Sequence, residues 1–175
     1  MDWYGTVFEV IDMRSFSNLW FWIVLAAVWA MASHRVLGVP IDMVTRARRY
    51  GGQATLDLEE LARINAYRQL LLARESGLWM SALAAGLLSM ALLLGFIYGV
   101  EFAQALFLLG FPLLLVRLLE LRAAQRVHNG EGHGEALLRL IRAHRVITQM
   151  IGMVAIFVTA VWGMYQNLVL GPFYG

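Results

Sequence analysis

Four long apolar stretches, at about 17–38, 77–99, 102–121 and 146–169, alternate with segments that carry almost every charge of the chain. Each stretch is close to the roughly 20 residues a helix needs to cross a bilayer's hydrocarbon core, so the pattern predicts four membrane-spanning helices. The second and third are joined only by Gly99-Val100-Glu101, a link tight enough to force an antiparallel hairpin. The two long links, 39–76 and 122–145, are polar yet periodic. Gly51-Gly52 breaks the first, and Asp57-Leu58-Glu59-Glu60 then resembles a helix-capping box. From there to Tyr98 no proline intervenes, and Glu59 and Arg63 sit at i,i+4. At 1.5 Å per residue that run is roughly 60 Å long, about twice the hydrocarbon thickness. The second span is therefore expected to project a stalk beyond the lipid. Glu135 through Arg145 is also periodic and should open the fourth helix early, after a turn over Asn129–Gly134. The expected fold is all-α: an integral membrane four-helix bundle with helical cytoplasmic extensions, forming a single membrane domain over 1–175.

Charge gives this bundle a direction. The chain has no lysine, and thirteen of its fourteen arginines fall in or beside the two long links; only Arg14 precedes the first apolar run. Positive charge in short loops marks the cytoplasmic side of a multi-pass protein. Both termini are then expected in the periplasm of a bacterial inner (cytoplasmic) membrane. Trp3, Tyr4, Trp20, Trp22, Tyr98, Trp162, Tyr165, Phe173 and Tyr174 would form the outer aromatic belt and Trp79 the inner one. Residues 2–13 place Trp3, Val7, Val10 and Ile11 at helical spacing, which suits a short interfacial helix or a plain ordered tail.

Composition agrees with this reading. Hydrophobic residues make up 60% of the 175 and charged ones 15%, well below the quarter typical of soluble domains. The mean hydropathy is +0.64. A pI near 9.3 could suggest nucleic acid, but the arginines flank apolar runs instead of forming one patch, so no nucleic-acid partner is expected. Without cysteine the chain has no disulfide, cysteine-ligated zinc or iron–sulfur cluster, or thioether-bound haem. The central parts of the spans hold no Asp, Glu, Lys, Arg or His, which argues against ion-coupled translocation by this chain alone.

Small residues recur where helices should meet: Gly95 and Gly99, Ala26 and Ala30, and Ala155, Thr159 and Gly163. Pro112 with Gly110 should kink the third span. At 100° per residue, Leu137, Leu140, Ile141, His144 and Thr148 share one face, with Arg139, Arg142 and Arg145 opposite. His34 follows Ala26 and Ala30 at four-residue spacing. In the stalk, Leu58, Leu61, Ile64, Leu71 and Leu72 define the expected buried face, with Arg68 and Glu75 projecting from it. Arg117 and Glu120 lie at similar depth. Charges this close to lipid need partners or must snorkel, so His34, Arg68, Glu75, Arg117, Glu120 and His144 are expected to gather at the inner edge. That cluster could be an ion-pair network fixing helix register, a site for an anionic ligand such as a lipid phosphate, or a metal or b-type haem site on His34 and His144. No cofactor is expected, haem b being the alternative. His128 and His133, with Glu131 and Glu135, could hold a divalent metal or simply lie on a solvated turn. Arg46, Arg48, Arg49, Arg139, Arg142 and Arg145 would contact anionic headgroups, at about 1 kcal/mol each. No phosphate loop, catalytic triad or HExxH motif is present.

The opening MDWYGTVFEVIDMRSFSNLW, with VLGVPIDMVTRARR after the first span, resembles a family of small uncharacterised bacterial inner-membrane proteins. Some members carry a label linking them to an iron–sulfur cluster assembly complex. The resemblance implies docking to such machinery, and no catalytic positions. The residues themselves point to a non-enzymatic accessory, assembly or scaffold subunit of a larger inner-membrane complex, its partners being the bilayer and other membrane-protein subunits. The alternatives are a membrane protein binding an anionic lipid or a haem or metal cofactor at the cytoplasmic edge of the bundle, and an integral-membrane enzyme acting on a lipid.

Overall fold

The computed structural model describes Phe16 and residues 19–170. The expected interfacial helix at 2–13, Arg14 and both chain ends fall outside the described residues. Within them the chain is built of helices with one minimal hairpin. In order they are α1 (Leu19–His34), β1 (Arg35–Val36), β2 (Val39–Pro40), α2 (Ile41–Tyr50), α3 (Gln53–Leu92), α4 (Glu101–Arg126) and α5 (Gly134–Leu170). Among the described residues, three helices are long and apolar enough to cross a membrane: Gln53–Ile97, Glu101–Glu131 and Gly134–Leu168.

The first apolar run behaves differently from the expectation. Its helix ends at His34, and 35–38, expected to continue the span, instead enter the hairpin. Sixteen residues rise roughly 24 Å, short of the roughly 30 Å hydrocarbon core. The cause is local. Leu37 (φ 53°) and Gly38 (φ 69°) both adopt left-handed backbone, the two-residue turn whose twist suits an antiparallel hairpin. Arg35 pairs with Pro40 and Val36 with Val39.

α3 runs without interruption from the polar link into the second apolar run. It starts at Gln53, four residues before the expected capping box, and Asp57 there accepts a hydrogen bond from Gln53 Nε2 at 2.9 Å. It closes in a wide π-type turn over Leu93–Ile97, and Gly99 (φ 73°) reverses the chain into α4. A second wide turn, Val127–Glu131, ends α4 around Gly130 (φ 119°).

Two cores hold the helices. One lies among the expected spans and joins Leu25 and Trp29 of α1 to Val116 of α4 and Ala155 of α5. The other lies beyond the expected spans, on the arginine-bearing side. It combines Val36, Leu37 and Val39 of the hairpin, Val44 and Ala47 of α2, Leu58, Ala62 and Ala66 of α3, Ala123 and Ala124 of α4, and Leu137, Leu140 and Ile141 of α5. No single link has enough residues for a core of its own, so the links pool theirs.

Small residues set the seams, though not all of those expected. Ala155, Thr159 and Gly163 are buried, and the Thr159 hydroxyl donates to the Ala155 carbonyl of its own helix at 2.7 Å. A Cβ on Gly152 would fall 2.8 Å from the Trp29 ring, and one on Gly163 3.2 Å from Phe16. Ala26 and Ala30 are exposed, since α1 packs through Leu25 and Trp29 instead. The buried face of the stalk is Leu58, Ala62, Asn65 and Ala66, whereas Ile64, Leu71 and Leu72 are exposed. Close approach of helix axes favours alanine over leucine at the seam, and this rotates Arg68 and Glu75 outward.

Candidate functional site

Three polar arrangements and one apolar groove stand out. Where an inner-edge cluster was expected, Arg117 of α4 pairs with Glu120 at 3.0 Å and reaches Gln69 of α3 at 3.4 Å. His144 of α5 is buried and interacts electrostatically with Glu120. So Arg117, Glu120 and His144 share a neighbourhood across α3, α4 and α5. The other three expected members stay apart. His34 is exposed at the end of α1, and Arg68 and Glu75 are exposed and make no ion pair among the described residues. Thr148, one turn beyond His144, is buried, and its hydroxyl has no hydrogen-bond partner among the described residues. Arg46, Arg48, Arg49, Arg139 and Arg142 are exposed as a headgroup-contacting set requires, while Arg145 is half-buried with its Nε enclosed.

The turn after α4 is solvent-exposed and is tied at two points. Glu131 holds Arg126 through two hydrogen bonds, at 2.9 and 2.7 Å. Glu59, on the stalk of α3, accepts the backbone N–H of Gly134 at 2.7 Å and lies 3.0 Å from His133 Nδ1. These contacts draw the Glu59 carboxyl below the ordinary glutamate range, the Gly134 N–H being the larger cause and His133 the second. A carboxylate here also faces the positive end of the α5 dipole. Glu131 and His133 are therefore engaged with separate partners. Among the described residues, no group of three or more His, Cys, Asp or Glu is placed to hold a metal ion.

At the opposite end of the long helices lies a polar node with no ionisable member. Gln104 of α4, 3% exposed, donates from Nε2 to the Gly95 carbonyl in the wide turn of α3 at 2.8 Å. Its Oε1 accepts from Trp162 Nε1 at 2.9 Å and from Gln166 Nε2. One amide thus joins three helices, beneath a layer formed by Phe96, Phe107 and Trp162. The position could have been found, because Gln104 is the one amide in the run Phe102–Gly110.

The groove lies between α4 and α5, with a volume of about 410 Å³. Phe107, Phe111, Pro112 and Leu115 line one wall, and Met150, Val154 and Val158 line the other. None of the six inner-edge residues borders it. Pro112 cannot donate the hydrogen bond due to the Leu108 carbonyl, which loosens α4 at the level of the groove.

No family model, curated protein or solved structure matches this chain. What the geometry defines is a class: an all-α protein whose three longest helices are compatible with multiple passes through a lipid membrane.

Proposed function

We propose that this chain is a non-enzymatic accessory, assembly or scaffold subunit of a larger bacterial inner-membrane complex. In this reading α1, though shorter than the hydrocarbon core, is a fourth crossing accommodated by local bilayer thinning, the arginine-bearing links face the cytosol and both termini face the periplasm. The observation that carries the reading is the uncovered face of the α3 stalk. Ile64, Tyr67 and Leu71 are 53%, 61% and 40% exposed on a segment that precedes the second apolar run. Lipid would not cover them there, and an apolar stripe of this kind beyond the bilayer is the ordinary mark of a protein partner. Arg63 and Arg68 flank the stripe, and Tyr67 and Ile64 open into a groove shared with Val127 and His128.

The haem alternative draws no support from an exposed His34 and a buried His144. The resemblance of the opening residues makes iron–sulfur cluster assembly machinery one candidate partner, to which a cysteine-free chain would dock without holding a cluster. Gentle detergent extraction followed by sizing tests the reading. A species larger than the 19.7 kDa chain that dissociates when Ile64 and Tyr67 are both replaced by Ser supports it. A clean monomer with no co-purifying protein overturns it.

A further inference from the structure

We infer that the α4–α5 groove and Arg122 together form a site for one anionic phospholipid, with an acyl chain in the groove and the phosphate on the guanidinium. The groove wall contributed by α4 is Phe107, Leu108, Phe111, Pro112 and Leu115. Continued at helical spacing, the same stripe passes Leu118 and Leu119 and arrives at Arg122, seven residues or about two turns beyond Leu115. On α5 the matching stripe runs from Val158 through Val154 to Met150 and continues to Ile147 and Ala143. The apolar track therefore runs unbroken from the groove to a single cation.

Dimensions and charge both fit this occupant. Ten residues separate Arg122 from Pro112, a rise of roughly 15 Å, which is half of the roughly 30 Å hydrocarbon core and so the depth of one leaflet. A chain hanging from a phosphate at Arg122 would enter the groove at Leu115 and end beside Pro112 and Phe111. Arg122 is exposed at the boundary of the third apolar run and makes no ion pair among the described residues. Its neighbours Arg117 and Arg126 are already held by Glu120 and Glu131. A planar guanidinium without a carboxylate is suited to bidentate phosphate contact. Val154 is 57% exposed, so the groove opens sideways and a chain can enter from the bilayer.

This inference needs the helices to lie in a membrane and is independent of any protein partner. The full-length chain would be purified in mild detergent, washed extensively and examined by native mass spectrometry. Phosphatidylglycerol, phosphatidylcholine or inorganic phosphate would then be added separately. Wild type should keep about one phosphatidylglycerol per chain, and phosphatidylcholine or inorganic phosphate should not displace it. Arg122→Ala should lower retention about tenfold, Arg122→Lys should recover most of it, and Val154→Trp, which fills the groove, should lower it as far as Arg122→Ala does. Should Val154→Trp unfold, Val158→Trp at the adjacent turn replaces it, thermal melting identifying which variants are folded. Equal retention of phosphatidylglycerol and phosphatidylcholine, displacement by inorganic phosphate, or wild-type retention in either folded variant overturns the site.

Discussion

The Glu59 carboxylate accepts the Gly134 N–H at 2.7 Å across 75 residues of sequence, so the side chain that caps α5 is supplied by the stalk of α3. Helices begin with unsatisfied N–H groups that a nearby acceptor normally fills. Here the acceptor comes from another helix, and capping becomes a tertiary contact that locks the start of α5 to the first turns of α3. Glu59→Ala should cost about 1 kcal/mol, as loss of a helix cap does, and Glu59→Gln less. Chemical denaturation of the detergent-solubilised chain measures both, and equal stability of Glu59→Ala and wild type would refute the role.

The same contact has a defined pH dependence. The folded-state pKa of Glu59 is depressed by Gly134 and His133. Its contribution is therefore present in full above the ordinary glutamate value of about 4.3 and disappears as pH falls through the lower folded value. Wild type should lose stability on acidification below about pH 4.5 more steeply than Glu59→Gln, whose amide does not titrate. Parallel acid titrations followed by circular dichroism would reveal the difference, and superimposable curves would argue against it.

Gln104 joins three helices, and interhelical hydrogen bonds within membranes average about 0.6 kcal/mol each. Gln104→Leu forfeits its contacts to Gly95, Trp162 and Gln166 and should cost about 2 kcal/mol. Gly95→Val should be worse still, because even its Cβ would sit 2.8 Å from the Gln104 backbone nitrogen. Thermal melting in detergent should rank wild type above Gln104→Leu and that above Gly95→Val. A reversed order would show that the node is peripheral.

α1 is held against α5 by the ring of Trp29 over Gly152, where a Cβ would stand 2.8 Å from the ring. Gly152→Leu should release it. The absence of cysteine makes a labelling readout clean: Leu25→Cys, buried in the same cluster, should resist maleimide alone and react readily when combined with Gly152→Leu. Equal labelling in both backgrounds would mean α1 is seated by other contacts.

Leu37 is fully buried at the tip of the hairpin in left-handed backbone, a conformation that costs a non-glycine residue roughly 1–2 kcal/mol. The burial of its side chain must exceed that cost. Leu37→Ala keeps the backbone requirement and removes the compensation, so it should destabilise the core around the hairpin by about 2–5 kcal/mol. Denaturation monitored by circular dichroism tests this, and a loss below about 1 kcal/mol would show the core to be loosely packed there.

Much of the architecture was already legible in one dimension. Apolar runs of spanning length, the proline-free path from Asp57 to Tyr98, the Gly99 reversal and the early start of α5 are local properties, governed by hydrophobic length and backbone propensity. The buried Ala155–Thr159–Gly163 face followed from four-residue spacing. What eluded that reading depended on which face meets which neighbour. The stalk buries Ala62 and Ala66 in place of Ile64 and Leu71 because axis separation, which no single helix encodes, decides whether small or large residues fit the seam. Arg68 and Glu75 consequently left the inner-edge cluster, while Arg117, Glu120 and His144 stayed together. α1 ended early because a two-residue turn places Leu37 in a core assembled from four other segments. Gln104, Glu59 and the track from Phe107 to Arg122 acquired their meaning only from partners tens of residues away. Local pattern determined that these helices exist and that their apolar runs suit lipid, since burial in a bilayer is a property of each helix alone. Their contacts belonged to the tertiary structure, because packing is a relation between surfaces and no one stretch of chain contains both.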